Sequence, residues 1–398
     1  MSSRGASIVF LKECRENLRD RRSVLNALVW GPVLMPVMFL VQMTVIAQQT
    51  REVWEAPPSI AISGAEYAPN LIAYLEREGA EVRVAPDDPS AAVRGQGEDA
   101  VLVVSQTFPE QWRQGEPAVV ELYFDGSRRR SDSRRRRVQN LLDDYSRSIG
   151  GLRLMVRGVD PRVARPIQIE ERDVSEGGVG GALIAAFLPF VLMFSAFIGG
   201  FYLAVDTTAG ERERQSLEPL LANPVSRLAV VLGKLGATVA FALAATLIGI
   251  VAFALCLAAT RTYAPIETIG FELSVPWWRW LTLAALLLPV VVLASAAQTL
   301  VAAFSRTFRE AQTYVQFLMF APMIPCFIVM FNPVRPQLDD MAIPFWAQTV
   351  LIDRLLRGEA VDPLLALASA GSTLIAAALV TALIVRMYRG ERLLFAGS

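Results

Sequence analysis

Six runs of apolar residues, near 24–46, 181–205, 228–258, 281–304, 312–331 and 364–388, constrain this chain more than any other feature. About 20 apolar residues in helix cross the hydrocarbon of a bilayer, and backbone in lipid must satisfy its hydrogen bonds internally. The runs therefore predict six transmembrane helices, the third long enough to tilt or to extend past the bilayer. A hydrophobic content of 53% over 398 residues and a mean hydropathy of +0.40 are too apolar for an ordinary soluble protein. The net charge is zero and identifies no partner.

Short basic flanks set the expected orientation. Arg4, Lys12, Arg15, Arg19, Arg21 and Arg22 precede the first run. Arg212, Arg214 and Arg227 separate the second from the third, Arg306 and Arg309 the fourth from the fifth, and Arg386, Arg389 and Arg392 follow the sixth. Six crossings place all four groups on one side, which reads as the cytoplasm, with both termini there. Trp277, Trp278 and Trp280 suit an aromatic belt at the outer start of the fourth run. Val45-Ile46-Ala47 would suit signal cleavage, but the preceding polar region and the apolar run are both long for a signal. The first run is therefore read as an uncleaved span.

Residues 1–23 read as a cytoplasmic amphipathic helix ahead of the first span at 24–46. Its less polar stripe is Ile8, Leu11, Cys14 or Arg15, and Leu18, and such a basic helix is expected along the membrane surface. Residues 47–180 form a polar insertion large enough for an extracytoplasmic domain. Strands are expected at Ser59–Ile62, Ala80–Val84, Ala100–Val104, Pro117–Phe124 and Pro166–Glu170, with helices at Tyr67–Glu78 and Arg134–Val156. That alternation predicts a mixed α/β domain around a sheet. The expected fold is thus an α-helical integral membrane protein with six spans and an α/β extracytoplasmic domain between the first two. Spans two to six occupy 181–388, and 389–398 is a cytoplasmic tail. Residues 341–357 are amphipathic and short for a crossing, so they are expected at the outer interface or re-entering partway.

The chain has no histidine, which removes Ser–His–Asp triads and most catalytic zinc sites. Cys14, Cys256 and Cys326 imply no disulfide framework. Gly233-Lys234 is followed by Leu235, so it is not a phosphate loop. No catalytic or metal site is predicted. Arg128, Arg129, Arg130, Arg134, Arg135, Arg136 and Arg137 form a candidate anion site for lipid headgroups or an envelope polyanion, or else a solvated surface. Without interleaved aromatics they do not suggest nucleic acid. The middles of the runs hold no Asp or Glu. Polar groups at depth, among them Ser195, Ser295, Gln298, Thr299, Gln312 and Gln316, either line a path or knit helices together. Pro189, Pro289, Pro322 and Pro325 free backbone carbonyls within the spans.

The segment Gly210-Glu-Arg-Glu-Arg-Gln-Ser-Leu-Glu-Pro-Leu-Leu-Ala-Asn-Pro-Val-Ser226 lies between the second and third runs and carries its own helix signals. Ser216 can cap a helix, Glu218 suits the positive end of its dipole, and Pro219 is tolerated in the first turn. Leu217, Leu220 and Leu221 share one face. Asn223-Pro224 ends the element, and Ser226 can cap the next. Such an apolar knob suits a docking partner; a tidy turn between spans is the other reading.

Lys12-Glu13…Glu16-Asn-Leu-Arg-Asp-Arg-Arg22 resembles the N-terminal signature of type-two ABC-exporter permeases. Glu211-Arg-Glu-Arg-Gln-Ser-Leu-Glu-Pro-Leu-Leu221…Pro224-Val-Ser226 resembles their loop between the second and third spans. The resemblance covers essentially the whole chain, and within the family it falls in the sodium-exporter, NatB-like branch. It implies a permease that is not itself an enzyme, in a bacterial inner membrane among lipids, paired with an identical or different second permease. Two separate ABC ATPase subunits, which carry the ATP and magnesium, would drive alternating access. A coupling helix near 211–224 would seat on the ATPase through Glu211, Arg212, Glu213, Arg214, Leu217, Glu218, Leu220 and Leu221. The amphipathic helix, with Lys12, Glu13, Arg19, Asp20 and Arg21, would flank it. Sodium carries over as a label; lipids, peptides and other amphipathic compounds suit the spans equally. A mechanotransmitter or sensor acting through the outer domain is the alternative function.

Overall fold

The computed structural model describes residues 2–55, 59–95, 97–127, 129–164, 167, 178–216, 219, 223–263, 276–332 and 334–389. The chain begins with α1 (Ser2–Arg19), continues through a short helical turn at Arg21–Val24 and a π-helical turn at Leu25–Trp30, and enters α2 (Gly31–Glu55). It then forms β1 (Ser59–Ser63), α3 (Pro69–Arg77), β2 (Glu81–Val84), α4 (Pro89–Arg94), β3 (Ala100–Val104), α5 (Phe108–Gln114), β4 (Val120–Phe124) and α6 (Arg129–Val156). The remaining helices are α7 (Gly178–Val205), α8 (Arg227–Tyr263), α9 (Trp277–Phe304), α10 (Phe308–Leu318), α11 (Phe320–Phe331), α12 (Trp346–Leu356) and α13 (Pro363–Arg389). Contacts divide the chain into two units, Gln48–Asp173 and the rest.

The smaller unit is an α/β domain. Its sheet runs β2-β1-β3-β4, with the first three strands parallel and β4 antiparallel to β3. Parallel strands need covered faces and therefore read as apolar runs. Ala100–Val104 is such a run, buried except at Val103. Ile60, Ile62, Leu102 and Val104 pack on one face against Leu71, Leu75, Phe108, Val138 and Tyr145 from the helices. Ala61 and Val101 meet Val93 of α4 on the other. The long helix starts at Arg129, five residues before the expected start. Apart from Ile167, the strand expected at Pro166–Glu170 falls outside the described residues.

The larger unit is helical. Among the described residues, six segments are long and apolar enough to cross a membrane: Leu25–Gln42, Phe187–Glu213, Arg227–Ala259, Trp277–Phe304, Phe308–Phe331 and Pro363–Arg389. Glycines and alanines bring α7 and α8 close. A Cβ added at Gly199 would lie 2.3 Å from the Ala245 Cβ, the small-residue contact that lets packed helices approach. The fifth apolar run is two helices that meet at Met319 rather than one.

Two segments gain detail beyond their expected placement. The stripe Ile8–Leu11–Leu18 of α1 is exposed, at 69%, 51% and 58%, whereas Val9, Glu13 and Asn17 are buried. Both faces of this helix are used: a protein seat rewards small and paired polar side chains, while the apolar stripe stays outside. The segment 341–357, expected at the outer interface or re-entering partway, exposes Ala342 and Ile343 and buries the helix that follows. Ala347–Asp353, Leu355 and Leu356 are buried, and α12 packs against α7, α9, α11 and α13. Gln348 makes this burial tolerable: its Oε1 accepts from Phe345 N at 3.0 Å, and its Nε2 donates to Ser369 O at 3.1 Å and Thr373 Oγ1 at 2.6 Å.

Candidate functional site

The charged turn that follows α7 ties together four other elements of the helical unit. A π-helical turn at Asp206–Gly210 leads into a helical turn at Glu211–Glu213. A single π turn inserts one extra residue, and each helical residue rotates by about 100°, so this insertion sets the direction of every side chain after it. Gln215 takes φ 56°, and Ser216 closes the turn by donating its backbone N–H to Glu211 O at 3.0 Å. The Ser216 hydroxyl donates to the same carbonyl at 3.2 Å.

Four consecutive charges then point to four places. Glu211 is buried and accepts from the ammonium of Lys234 on α8 and from Lys12 Nζ of α1 at 3.2 Å. Arg212 donates to Ser305 O at 2.8 Å and Ala303 O at 3.0 Å, so a cation meets carbonyls left open at the C-terminus of α9. Glu213 accepts from Phe308 N at 2.7 Å, an anion at the N-terminus of α10. Arg214 folds back onto Asp206 Oδ1 at 3.0 Å. Hydrogen bonds to charged groups contribute about 1.5–3 kcal/mol each, and burial on this scale makes an unpaired charge more costly than the pair is stabilising.

Lys234 is 1% exposed. Besides Glu211, its Nζ donates to Thr207 O within the π turn at 2.6 Å and lies 3.5 Å from Glu13 Oε1 of α1. Lys12 reaches Glu13 at 3.2 Å and Glu16 at 3.3 Å. Burial pushes the Glu13 carboxyl above its ordinary value, Lys234 pulls it down, and Glu211 pushes it up again. Burial works against the Lys12 charge, but Glu13, Glu211 and Glu16 together hold its pKa above the usual lysine value. Two lysines and two glutamates thus balance at the core of the cluster. The packing beneath is just as close. A Cβ at Gly233 would fall 2.8 Å from Ala6 O and 2.6 Å from the Val9 Cβ, and one at Gly236 3.4 Å from the Phe10 ring. The Gly233-Lys234-Leu235-Gly236 stretch, which is no phosphate loop, is the seat of α1. Beside it a cleft of about 630 Å³ opens between α1 and the turn, lined by Glu16, Asp20, Asp206 and Arg214 among others.

This inward-turned hub lies between two apolar helices, in a chain whose residues 22–386 match the ABC-2 family transporter proteins. The chain belongs to the ABC-2 transporter family. It is also 28% identical to the ABC transporter permease protein NatB of Bacillus subtilis (strain 168) over 370 residues, 92% of this chain and 93% of that protein. It is a NatB-like ABC-2 permease, from a family whose members leave ATP hydrolysis to a separate ABC ATPase.

In this ABC-2 permease the residues expected to couple to an ATPase divide into two groups. Glu211, Arg212, Glu213 and Arg214 are engaged within the chain, while Leu217, Glu218, Leu220 and Leu221 lie outside the described residues. Ser226 caps α8 as expected, accepting from Ala229 N at 3.2 Å. Of the N-terminal set, Lys12 and Glu13 join the hub, whereas Arg19, Asp20 and Arg21 are exposed.

Ser195, Ser295, Gln298 and Thr299 are buried where α7 and α9 meet. Gln298 Nε2 donates to Phe197 O at 2.7 Å, and the hydroxyls of Ser195 and Thr299 donate to Val191 O and Ser295 O, one helical turn back. Ser295 Oγ and Gln298 Oε1 take no hydrogen bond among the described residues. Gln312 and Gln316 are exposed on α10 and do not join that buried group.

Three arginines of the cluster in the α/β unit have acidic partners within the unit. Arg134 is buried and lies 3.7 Å from Asp99. Arg135 and Arg136 share Asp132, at 3.0 and 2.9 Å, and these two hydrogen-bonding guanidiniums hold its carboxyl below the ordinary range. Arg137 also has a partner. Arg128 lies outside the described residues, as do the side chains of Arg129 and Arg130.

Sequence reasoning missed Lys234. The signal was there: a lone lysine inside an apolar run, with glycine before it and two residues after. Its run holds no carboxylate to pair with it, and its acidic partners sit outside the run, at residues 13 and 211.

Proposed function

We propose that this permease is the membrane subunit of an ATP-driven exporter, docked on its ATPase through residues 215–226. The observation that carries the reading is the hub. The end of the second span is bonded at once to α1, α8, α9 and α10, so a displacement of the adjoining loop is delivered to the helical unit rather than absorbed. On this reading the hub, α1 and both termini face the cytoplasm of a bacterial inner membrane, as the basic flanks require, and the α/β unit lies outside. Leu217, Leu220 and Leu221 form the apolar contact, Glu218 sits at the positive end of the helix dipole, and a second permease completes the complex. ATP and magnesium belong to the ATPase.

Sodium is the first cargo to test, since Ser295 Oγ and Gln298 Oε1 are buried acceptor oxygens of the kind that hold a desolvated cation. Lipids and amphipathic compounds are the second. The mechanotransmitter alternative was motivated by the arginine cluster and loses weight with Arg134, Arg135 and Arg136 paired inside their own unit.

The test is purification of the tagged permease in mild detergent. An ABC ATPase is expected at about one copy per permease. Leu217→Asp with Leu220→Asp and Leu221→Asp should abolish nucleotide-driven transport while the permease still accumulates in the membrane. Undiminished transport by that variant would remove the docking assignment.

A further inference from the structure

We infer that Lys234 is a positioning residue that fastens α1 and the end of the second span to the base of α8, so that the three move as one body. The inference deepens the permease reading by naming the joint through which loop motion reaches the first span, and part of its test is independent of that reading.

The geometry has three parts. First, one ammonium serves three elements: Glu211 after α7, Thr207 O in the π turn, and Glu13 on α1. Second, Lys12 closes the ring from the other side, reaching Glu13 and Glu211 at 3.2 Å each. The charges facing the cluster are therefore Lys12, Glu13, Glu16, Glu211 and Arg212, with the buried Tyr388 of α13 nearby. Third, the glycine seat holds α1 close enough for the ions to meet, with no room for a side chain at Gly233. A packed seat alone would let α1 slide along α8. A buried ion pair opposes sliding, because any step that parts Lys234 from its carboxylates strands charge in a low-dielectric interior.

Beyond this body, α1 leads through the π turn at Leu25–Trp30 into α2. Such turns give a helix an adjustable point, so a movement of the joined body is passed to the first span there. Lys234 thus acts on transport through other residues and touches no cargo.

The test is a disulfide across the joint. With Cys14, Cys256 and Cys326 replaced by serine, Gly5→Cys and Ala229→Cys place one thiol on each side. A Cβ at position 5 lies 3.4 Å from that of Ala229, close to the separation a disulfide needs. A protease site inserted after residue 172 reports the link, because the two fragments stay together until reduced. In membranes, with Lys234 intact, the link is expected to form readily, and the oxidised permease with its ATPase is expected to transport within twofold of the reduced protein. Lys234→Met is expected to slow linking at least tenfold. That variant leaves the core one positive charge short, so it is paired with the neutral set Glu211→Gln and Lys234→Met, which keeps Lys12 beside Glu13. The set is expected to accumulate normally and still link slowly.

Linking by Lys234→Met at the original rate would show that packing alone holds α1 and would overturn the inference. So would transport that stops on oxidation and returns on reduction, since the elements would then part during each cycle. If the neutral set fails to accumulate, the cluster is a requirement of folding and the assignment falls. Absence of transport in both redox states, with normal linking, would count against the permease reading and leave the joint standing.

Discussion

Both units bury apolar side chains, but they differ in what they expose and in how many charges they take inside. In the α/β unit, Ile60, Leu75 and Leu102 are fully inside, and most ion pairs, such as those of Asp132 with Arg135 and Arg136, lie toward the surface. In the helical unit, leucines and phenylalanines such as Leu34, Phe320, Leu367 and Leu379 are exposed, while Glu13, Glu211, Lys234, Gln298 and Gln348 are inside. Water rewards the first arrangement and lipid the second, because lipid offers apolar surface nothing to escape from and polar groups nothing to bond. Specificity of packing therefore comes from apolar shape in one unit, and from close small-residue packing together with paired polar groups in the other.

The largest expected effect is in the helical unit. Glu211→Ala leaves Lys234 without its main anion, and breaking a buried pair by removing one partner costs about 3–5 kcal/mol. Thermal unfolding in detergent should show a large loss of stability, and a loss no greater than that of a surface substitution would refute the claim that ion pairing organises this unit. Next comes Leu102→Ala in the α/β unit. A leucine removed from a packed core costs about 2–5 kcal/mol, and hydrogen exchange should localise the loss to Gln48–Asp173.

The smallest effect is expected for Asp132→Asn. The wild-type carboxyl titrates below its ordinary value of 3.8. Its contribution is therefore present above pH 3.8 and is lost as pH falls through the lowered native value. Unfolding of the variant and the wild type should differ slightly at neutral pH and converge on acidification. A difference that grows with acid would reverse the assigned sign.

Much of the architecture was legible because desolvation leaves the chain few choices. Runs of about 20 apolar residues and the unbroken Ala100–Val104 strand state their burial directly. The turn between α9 and α10 illustrates the limit. Arg306 and Arg309 announce an exposed connection, yet nothing local says that Arg212 and Glu213, some ninety residues earlier, hold its two ends. The other, buried face of α1 was hidden for the same reason. Its apolar stripe was plain, but the seat at Gly233 and Gly236 that buries Glu13 lies more than two hundred residues away.

By itself the sequence determined that this chain carries six runs long and apolar enough to cross a membrane, that an α/β unit interrupts them, and that a charged motif follows the second. Those follow from composition and periodicity, which act over one element at a time. Only the tertiary structure decided that the motif faces inward, that Lys234 is its partner, and that α12 is buried among the helices. A charge inside a helical bundle is tolerated only where partners from other elements converge on it, and that convergence is a property of the fold.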